Sequence, residues 1–413
     1  MIFSGFHPNA TIKDLCIAVS FFFLPWRWFH ITRGNAVKQA EKHIQNYFDI
    51  LYAKTFDSGR TALQKALEAC DVGEGDEVLV QAYTCMVVSN AIAWTGAQPL
   101  YLDINNNYSI DLGDIEKKIT TKTKAIIIQH TFGIPADLDA IIAIAKKHNL
   151  KIIEDCAHVF GGEYNNKKLG TYGDIGMFSF GSDKALSCAR GGALISNNIV
   201  LAEKINLLHK KLPDASYKKT LQYLWNIPLF IKGKFLYDIY IGKAILAFAK
   251  KLSLGGQIIY VSEMQGKQTP WFPSKLANAL AHILLNQLKT IDKTNKHRKE
   301  IAKQYHHALS THTCFSYDKK HILLRYPLSI KNPSSLIQFA KKRGVLLGDW
   351  YNDAIAPRGC NKQKAYYIDG SCPQAEYHAT RSVNLPTHHK ITTKKADKII
   401  KIIQDYVDSI NNT

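Results

Sequence analysis

Residues 123–158 read TKAIIIQHTFGIPADLDAIIAIAKKHNLKIIEDCAH and contain three contrasting patterns in succession. The apolar run KAIIIQHTFG (124–133) predicts a buried strand with a polar end, and LDAIIAIAKKHNL (138–150) has the spacing of an amphipathic helix. KIIEDCA (151–157) predicts a second buried strand. Two buried strands joined by a helix are typical of neighbouring parallel strands in an α/β fold.

The same alternation extends outward in both directions. Further helices and strands are predicted in the ranges 35–49, 58–73, 76–82, 90–104, 111–120, 174–180 and 192–197. The sequence therefore predicts a large, mostly parallel sheet covered by helices on both faces. Ligands of such sheets bind beyond the carboxyl ends of the strands. The polar residues predicted at those ends are Tyr83, His130, Asp155, His158 and Ser179.

The C-terminal third predicts a second, smaller α/β region. Residues 274–310 have helical spacing over one long helix or a broken pair, and a strand at 322–330, a helix at 334–344 and an amphipathic helix at 392–410 follow. We therefore predict four parts in chain order: an N-terminal apolar extension (1–33), a large site-bearing domain (34–205), a basic, aromatic-rich helical insertion (206–270), and the long helix with the small C-terminal domain (271–413).

Charge indicates anionic partners. The formal net charge is +19 and the isoelectric point is about 9.4, with the excess concentrated after about Lys204. The sequence contains no zinc-finger spacing, no RNA-binding strand motif and no arginine stripe, so we do not expect nucleic-acid binding. Phosphorylated small molecules and anionic lipid remain as partners.

Two apolar, aromatic segments have two readings each. LCIAVSFFFLPWRWF (15–29) is too short to span a bilayer and lacks the features of a cleaved signal. It either packs on the protein or a second subunit, or anchors at a membrane interface through Trp26 and Trp28. The segment 221–255 is either a helical insertion on the core or a partner subunit, or a basic surface against anionic lipid.

Cysteine usage indicates the compartment. The eight cysteines are scattered, with no CxxC pair, and most lie in runs that are predicted to be buried. We therefore expect reduced thiols and a cytoplasmic protein, with contact to the inner membrane face if a basic segment binds lipid. No metal site is expected.

Three motifs supply complementary chemical groups. SGRTAL (58–63) opens a helix with a glycine turn, whose free amides and dipole favour an anion. Asp155 follows a buried strand, either as a structural cap or as a carboxylate facing a cation. In FSFGSDKALSCARGG (178–192), Lys184 is either a surface lysine or a desolvated, nucleophilic amine. An amine, an acid and an anion site are the three groups that pyridoxal 5'-phosphate requires of its protein.

The chain resembles the DegT/StrS family of sugar aminotransferases over about 300 residues. The shared segments are SGRTALQKALEACDVGEGDEVLV, TGAQPLYLDI, the stretch 123–158, LGTYGDIGMFSF with Lys184, GGALIS and VNLPTH (383–388). The resemblance implies a fold-type I pyridoxal-phosphate enzyme. It further implies transfer of an amino group, from L-glutamate, to a keto-deoxy sugar linked to a nucleotide, for surface polysaccharide synthesis, by a homodimer.

The resemblance also assigns roles by position. Lys184 resembles the lysine that binds the cofactor aldehyde and moves the proton, and Asp155 the partner of the ring nitrogen. His158 matches the residue near the ring hydroxyl, and the remaining cofactor-binding positions are Gly59, Arg60, Thr61, Cys85 and Ser179.

Three positions depart from the family pattern. Arg60 replaces a usual threonine, Cys85 an aromatic residue that often stacks on the ring, and Arg190 an acid before the glycine pair. Tyr83 is an alternative stacking residue. Related sugar dehydratases have histidine at the lysine position, so Lys184 favours transamination. A membrane-surface assembly protein that keeps the fold without the activity is the alternative from another class.

Overall fold

The computed structural model describes residues 1–5, 7–251 and 254–411. The strands are β1 (Ile2–Phe3), β2 (Tyr52–Phe56), β3 (Glu77–Gln81), β4 (Thr84–Cys85), β5 (Gln98–Leu102), β6 (Thr123–Gln129), β7 (Lys151–Asp155), β8 (Glu163–Tyr164), β9 (Lys167–Lys168), β10 (Ile175–Ser179), β11 (Gly192–Ser196), β12 (Arg325–Ser329), β13 (Val345–Leu346), β14 (Ile355–Ala356) and β15 (Ser382–Pro386).

The α-helices are α1 (Ile12–Phe23), α2 (Pro25–Trp28), α3 (Asn35–Phe48), α4 (Gly59–Ala69), α5 (Met86–Ala93), α6 (Leu112–Lys118), α7 (Leu138–Lys147), α8 (Ile199–Lys210), α9 (Tyr217–Phe235), α10 (Ile241–Lys251), α11 (Val261–Met264), α12 (Asn278–Leu288), α13 (Ile291–Leu309), α14 (Pro333–Lys342), α15 (Pro373–Ala379) and α16 (Thr393–Asn411). Short 3₁₀ turns cover Thr131–Gly133 and Ser310–His312.

The central sheet has the predicted mostly parallel character. Within the described residues it contains seven strands in the order β2-β11-β10-β7-β6-β3-β5. β10, β7, β6, β3 and β5 are parallel, and β11 runs antiparallel to both β10 and β2. The α/β fold class is therefore confirmed. Since β7 and β10 are adjacent and parallel, their carboxyl ends meet at one edge.

Both faces of the sheet are buried, as the continuous apolar strands predict. In β6, Ala125 and Ile127 join one apolar cluster, and Ile126 and Ile128 join the other. Successive side chains of a strand point to opposite faces, so a strand covered on both sides must be apolar at every position. This explains why the run 124–129 lacks the alternation of a half-exposed strand.

The C-terminal region forms a second, smaller unit around an antiparallel pair, β12 and β15. The helical stretch 274–310 is a broken pair, α12 and α13, rather than one helix. α14 and α16 pack together beside this pair of strands. The predicted boundaries between the four parts remain a prediction, and α8 runs across the boundary placed at residue 205.

The N-terminal extension packs on the protein through one side only. α1 lies against α9 and α12, with Ala18 and Phe21 buried. Phe23, Trp26 and Phe29 are exposed by 74%, 65% and 85%, so the aromatic end of the segment faces outward. Packing on the protein therefore accounts for the α1 part of this segment, and the membrane-interface interpretation of its exposed end stays a prediction.

The insertion is helical, as predicted. α9 continues through Pro228 and packs against α10 and α1. No helix among the described residues is both long enough and apolar enough to cross a bilayer.

Candidate active site

The sheet brings the lysine and the acid of the sequence motifs to one place. Asp155 is the last residue of β7, and its strand neighbour in β10 is Met177. β10 ends at Ser179, and the chain then turns to present Lys184. Adjacent parallel strands thus deliver an acid, a hydroxyl and an amine to the same edge of the sheet.

The Lys184 side chain is partly exposed, but its amine is largely desolvated. Burial lowers its pKa below the ordinary lysine value, while Cys85 and Asp155 act in the opposite direction. Within the described residues, the amine has no ion-pair or hydrogen-bond partner, and it lies 5.2 Å from the centroid of the Trp350 ring. A lysine in this setting has a larger neutral, nucleophilic fraction than a surface lysine at the same pH.

Asp155 is buried and close enough to the Lys184 amine for each group to shift the pKa of the other. Its Oδ1 accepts a hydrogen bond of 2.9 Å from the backbone amide of Ala157. Burial raises the pKa of Asp155, whereas the Ala157 amide and the nearby Lys184 lower it. A further cation that binds beside this carboxylate would therefore stabilise its charged form.

His158 is neutral in its surroundings. Burial, together with the positive charges of Lys184 and Arg325, holds its pKa well below the usual histidine range. Its Nδ1 accepts from the Phe132 amide at 3.0 Å, so Nε2 carries the proton and faces the Tyr351 hydroxyl at 3.0 Å. The ring is fixed in orientation and stacks on Trp350 at 5.5 Å.

The first turn of α4 has features of the predicted anion site, which stays a prediction. A Cβ on Gly59 would lie 2.7 Å from the Cβ of Ser179, so only glycine allows this close approach. Ser58 caps the helix by accepting from the Thr61 amide at 3.3 Å. Because the Thr61 amide is engaged in this cap, the first-turn amides of Gly59 and Arg60 are the donors available to an anion, beside the Ser179 hydroxyl.

Arg60 contributes its backbone rather than its side chain to this turn. The guanidinium forms a buried ion pair with Glu263 and donates to the Ile258 carbonyl at 2.6 Å. The arginine that replaces the family's threonine thus connects α4 to the insertion. Its partner Glu263 lies in the first turn of the short helix α11.

Cys85 ends β4 and is partly exposed near Lys184. Burial raises the pKa of its thiol, so it is a neutral neighbour of the amine. Tyr83 does not supply an alternative ring surface, because it is fully buried and stacks on Tyr108. The aromatic ring beside the Lys184 amine is instead that of Trp350.

Arg190, the third departure, points toward the insertion. It is buried, its Nε lies 3.8 Å from Asp57, and its guanidinium packs over Tyr223 and Phe272. Both unusual arginines, Arg60 and Arg190, therefore contact the segment that precedes α12.

Sequence reasoning missed Arg325. From the sequence alone, Trp350 and Tyr351, in the segment 350–360, could be substrate-side residues or core residues. The Arg325 guanidinium stacks over the Trp350 ring at 3.7 Å and meets Asp183 at 3.7 Å, longer than a hydrogen bond. The side chain of Asn384, in the VNLPTH signature, accepts a hydrogen bond from the Trp350 amide and donates one to the Trp350 carbonyl, both at 2.8 Å. An arginine inside an otherwise apolar strand was the available signal.

The strand-end candidate His130 belongs to a structural cluster. His130, Glu154 and Cys156 offer donor atoms within 4.8 Å of one another. However, His130 Nδ1 accepts from the Ala136 amide, and Glu154 accepts from three backbone amides of residues 170–173 as well as from His130. Hydrogen bonds within the chain thus already occupy the His130 and Glu154 atoms that a metal ion would need as ligands.

The donor set fits pyridoxal phosphate. The candidate anion donors of Gly59, Arg60 and Ser179 lie at one end, Asp155 and Lys184 shift the pKa of each other, and the charge of Lys184 also lowers the pKa of His158. The close approach of Gly59 to Ser179 brings the first-turn amides and the Ser179 side chain together, as a phosphate site requires.

Comparison with known proteins identifies the family. The DegT/DnrJ/EryC1/StrS aminotransferase family matches residues 26–226 and 248–404. The chain belongs to this family. The predicted enzyme class and cofactor are thereby confirmed: the family consists of aminotransferases that depend on pyridoxal phosphate.

Two relatives and one solved structure illustrate the similarity. A GDP-perosamine synthase of Escherichia coli O157:H7 is 40% identical over 174 residues, which are 42% of this chain and 48% of that protein. A dTDP-3-amino-3,6-dideoxy-alpha-D-galactopyranose transaminase of Aneurinibacillus thermoaerophilus is 28% identical over 381 residues, 90% of each chain. A sugar aminotransferase of Streptococcus pneumoniae, solved in its PMP form, has a TM-score of 0.75 at 21% identity, covering 99% of this chain and 100% of its own.

The matched segment thus spans about half the length of the perosamine synthase.

Proposed function

We propose that this aminotransferase transfers an amino group from an amino acid, L-glutamate, to a keto-deoxy sugar linked to a nucleotide, for the synthesis of a surface polysaccharide. The observation that carries the proposal is the desolvated Lys184 amine, which follows the strand adjacent to the one that ends at Asp155 and lies close enough to this carboxylate for the two to shift each other's pKa. The names of both relatives specify nucleotide-linked amino sugars. The net charge of +19 suits a substrate that carries a diphosphate.

The chemistry divides between the bound cofactor and the chain. Pyridoxal phosphate supplies an aldehyde that accepts the amino group and a ring that takes up electrons. Asp155 would hold a proton on the ring nitrogen, and the first-turn amides of α4 with the Ser179 hydroxyl would hold the phosphate. The Lys184 amine would take the proton from the donor Cα as general base and later donate a proton as general acid.

Arg325 supplies the cation for the donor carboxylate. Within the described residues its guanidinium has no hydrogen-bond acceptor, and it is nearly buried, stacked on Trp350 and close enough to Lys184 to lower the pKa of that amine. A planar guanidinium binds a carboxylate through two parallel hydrogen bonds. This would hold the donor Cα beside the amine that must deprotonate it.

A spectral screen tests the substrate. Enzyme preloaded with the aminated cofactor is mixed with keto-deoxy sugars linked to GDP, dTDP or UDP, and with the free sugars. Return of the visible absorbance of the aldehyde form with a nucleotide-linked sugar, and not with the free sugar, supports the proposal. Return only with simple keto acids contradicts it.

We propose that the enzyme is cytoplasmic and touches an anionic membrane surface through the end of the N-terminal extension. All eight cysteines are free, as a reducing compartment favours. Exposed aromatic side chains accompany Arg27 and Arg33 there, and this combination suits the interface of an anionic bilayer.

Co-sedimentation with vesicles tests the membrane contact. The protein should pellet with phosphatidylserine–phosphatidylcholine vesicles and less with pure phosphatidylcholine. Replacing both Trp26 and Trp28 by alanine should reduce pelleting without changing turnover. Pelleting that is unchanged in this variant contradicts the assignment, and a protein that pellets yet shows no cofactor spectrum would favour the inactive assembly protein.

We also propose a homodimer, which the family resemblance implies. Large apolar side chains are exposed around the α9–α10 connection, among them Phe235 at 86% and Tyr240 at 72%. A second copy would bury this surface. Light scattering should give twice the chain mass of 46.5 kDa, and Phe235→Ser with Tyr240→Ser should reduce it; a monomeric unmodified protein contradicts the proposal.

A further inference from the structure

Near the N-terminus, β1 pairs with the C-terminal region and Asn9 contacts the loop that carries Lys184, although the family match begins only at residue 26. β1 pairs in parallel with β13 of the C-terminal region. The Ser4 hydroxyl donates to the Leu346 carbonyl at 2.8 Å, and His388 Nε2 donates to the Phe3 carbonyl at 2.8 Å. These contacts anchor the segment on one side of the loop that carries Lys184.

Asn9 connects this segment to the lysine loop. Its side-chain nitrogen donates to the backbone carbonyls of Lys184 at 2.7 Å and of Ala185 at 3.1 Å. Asn9 is 3% exposed, so these bonds do not compete with bulk water. One amide group therefore fixes two successive peptide units at the residue that bears the amine.

The orientation of the Asn9 amide is set by a buried arginine. Arg298 Nη2 donates to Asn9 Oδ1 at 3.0 Å, and Nη1 donates to the Leu324 carbonyl and to the Thr387 hydroxyl. Arginine has no acceptor, so the oxygen of Asn9 must face Arg298 and the nitrogen must face the loop. Arg298 is fully buried and held by three bonds, and it fixes this choice.

A second contact holds the backbone of Asn9. Gln287, in α12, donates to the Asn9 carbonyl at 3.0 Å. The asparagine is thus bonded at its backbone, at its side-chain oxygen and at its side-chain nitrogen. Its position is defined more fully than anchoring the N-terminus requires, since β1 and Ser4 already provide that.

We propose that Asn9 is a positioning residue for Lys184: its amide holds the backbone from which the lysine side chain extends, and so keeps the amine in its desolvated place beside Asp155. The inference rests on the proposed role of Lys184. It assigns a part in the site to the N-terminal segment, which the family match does not include. A displacement of about 1 Å at a reacting group can cost about 100-fold in rate.

The test compares Asn9→Ala with a matched control, Ser4→Ala, which loses one anchoring bond of the same segment without touching the lysine loop. In cofactor-free protein, the rate at which an amine reagent modifies Lys184 is followed against pH by mass spectrometry. In Asn9→Ala, better hydration of the amine should raise the pH of half-maximal modification toward that of free lysine. Ser4→Ala should leave it unchanged.

Turnover should follow the same order. With cofactor bound, kcat of Asn9→Ala should fall about tenfold or more while KM for the donor changes by less than about twofold, because the substrate contacts are intact. Equal effects of Asn9→Ala and Ser4→Ala, or an unchanged pH of half-maximal modification in a folded Asn9→Ala, overturn the inference. If Asn9→Ala does not fold, Asn9→Ser, which shortens the donor, is judged by the same two criteria.

Lys184→Ala separates this inference from the proposed function. Loss of the cofactor band in Lys184→Ala with no effect of Asn9→Ala defeats only the role of Asn9. A cofactor band that persists in Lys184→Ala defeats the proposed function, and with it the inference.

Discussion

The sheet domain between Tyr52 and Ser196 and the two segments beside it, residues 1–33 and 206–270, differ in what determines their structure. In the sheet domain, apolar strands and amphipathic helices alternate, and each element has one place where it can bury its apolar side chains. The flanking segments are also helical, but specific polar contacts fix them: Asn9 to the lysine loop and Glu263 to Arg60. The reactive groups come from the first region, while the second holds them in place.

The largest expected effect lies in the first region. Lys184→Ala should remove the visible absorbance of bound cofactor and lower transamination by about 1,000-fold or more, since both the attachment point and the proton-transferring group are lost. The control is Lys218→Ala, which removes an exposed lysine of the insertion and should retain both properties. Transamination that survives in Lys184→Ala would show that another amine performs the reaction.

The sequence was most informative where chemistry and periodicity coincide. Asp155 ends a mostly buried strand and Lys184 follows another, so their placement at the sheet edge could be predicted. The roles of Arg60 and Arg325 could not, because both depend on contacts distant in sequence: Arg60 pairs with Glu263 across 203 residues, and Arg325 lies over Trp350. Asn9 was missed for the same reason, since a lone asparagine in a short segment carries no periodic signal.

The next prediction tests the ion pair that connects the two regions, between Arg60 of the sheet domain and Glu263 of the insertion. Glu263→Gln leaves the Arg60 guanidinium buried without a charged partner and should lower the free energy of unfolding by about 3 kcal/mol. The pair's side chains are 8% and 0% exposed. Glu116→Gln, which removes the exposed pair with Lys147, is the matched control and should have a much smaller effect.

Urea unfolding measures both variants of this comparison. The double variant Arg60→Thr with Glu263→Gln should recover part of the loss, because it removes the stranded charge. Equal costs for Glu263→Gln and Glu116→Gln would mean that the insertion is not coupled to α4 through this ion pair.

A smaller effect is expected at the donor site. Arg325→Gln should raise KM for the amino donor about tenfold, as expected when a charge-assisted bond is replaced by a neutral one. The KM for the sugar should change much less, because the guanidinium is assigned to the carboxylate. Steady-state kinetics with both substrates varied separates the two, and a larger change in the KM for the sugar would reassign Arg325 to the sugar nucleotide.

The smallest effect at neutral pH concerns the start of the insertion, and it grows as the pH falls. His209, in the last turn of α8, contacts the Thr55 carbonyl of β2 at 3.1 Å, and burial lowers its pKa to about 4. The unfolded chain binds a proton at His209 below pH about 6.5, whereas the folded chain resists protonation until pH about 4. Proton binding to His209 in the unfolded chain therefore lowers the free energy of unfolding as the pH falls from about 6.5 to about 4. Above pH about 6.5 the histidine has no such effect.

His209→Gln keeps a side-chain donor that can reach Thr55 but does not titrate. Relative to the unmodified protein, this variant should gain about 2 kcal/mol in unfolding free energy between pH 7.5 and pH 5, measured by urea unfolding. A difference between the two proteins that is independent of pH would mean that the contact between α8 and β2 opens before the histidine is protonated. α8 would then be held to the large domain by its packing on α4 and β11.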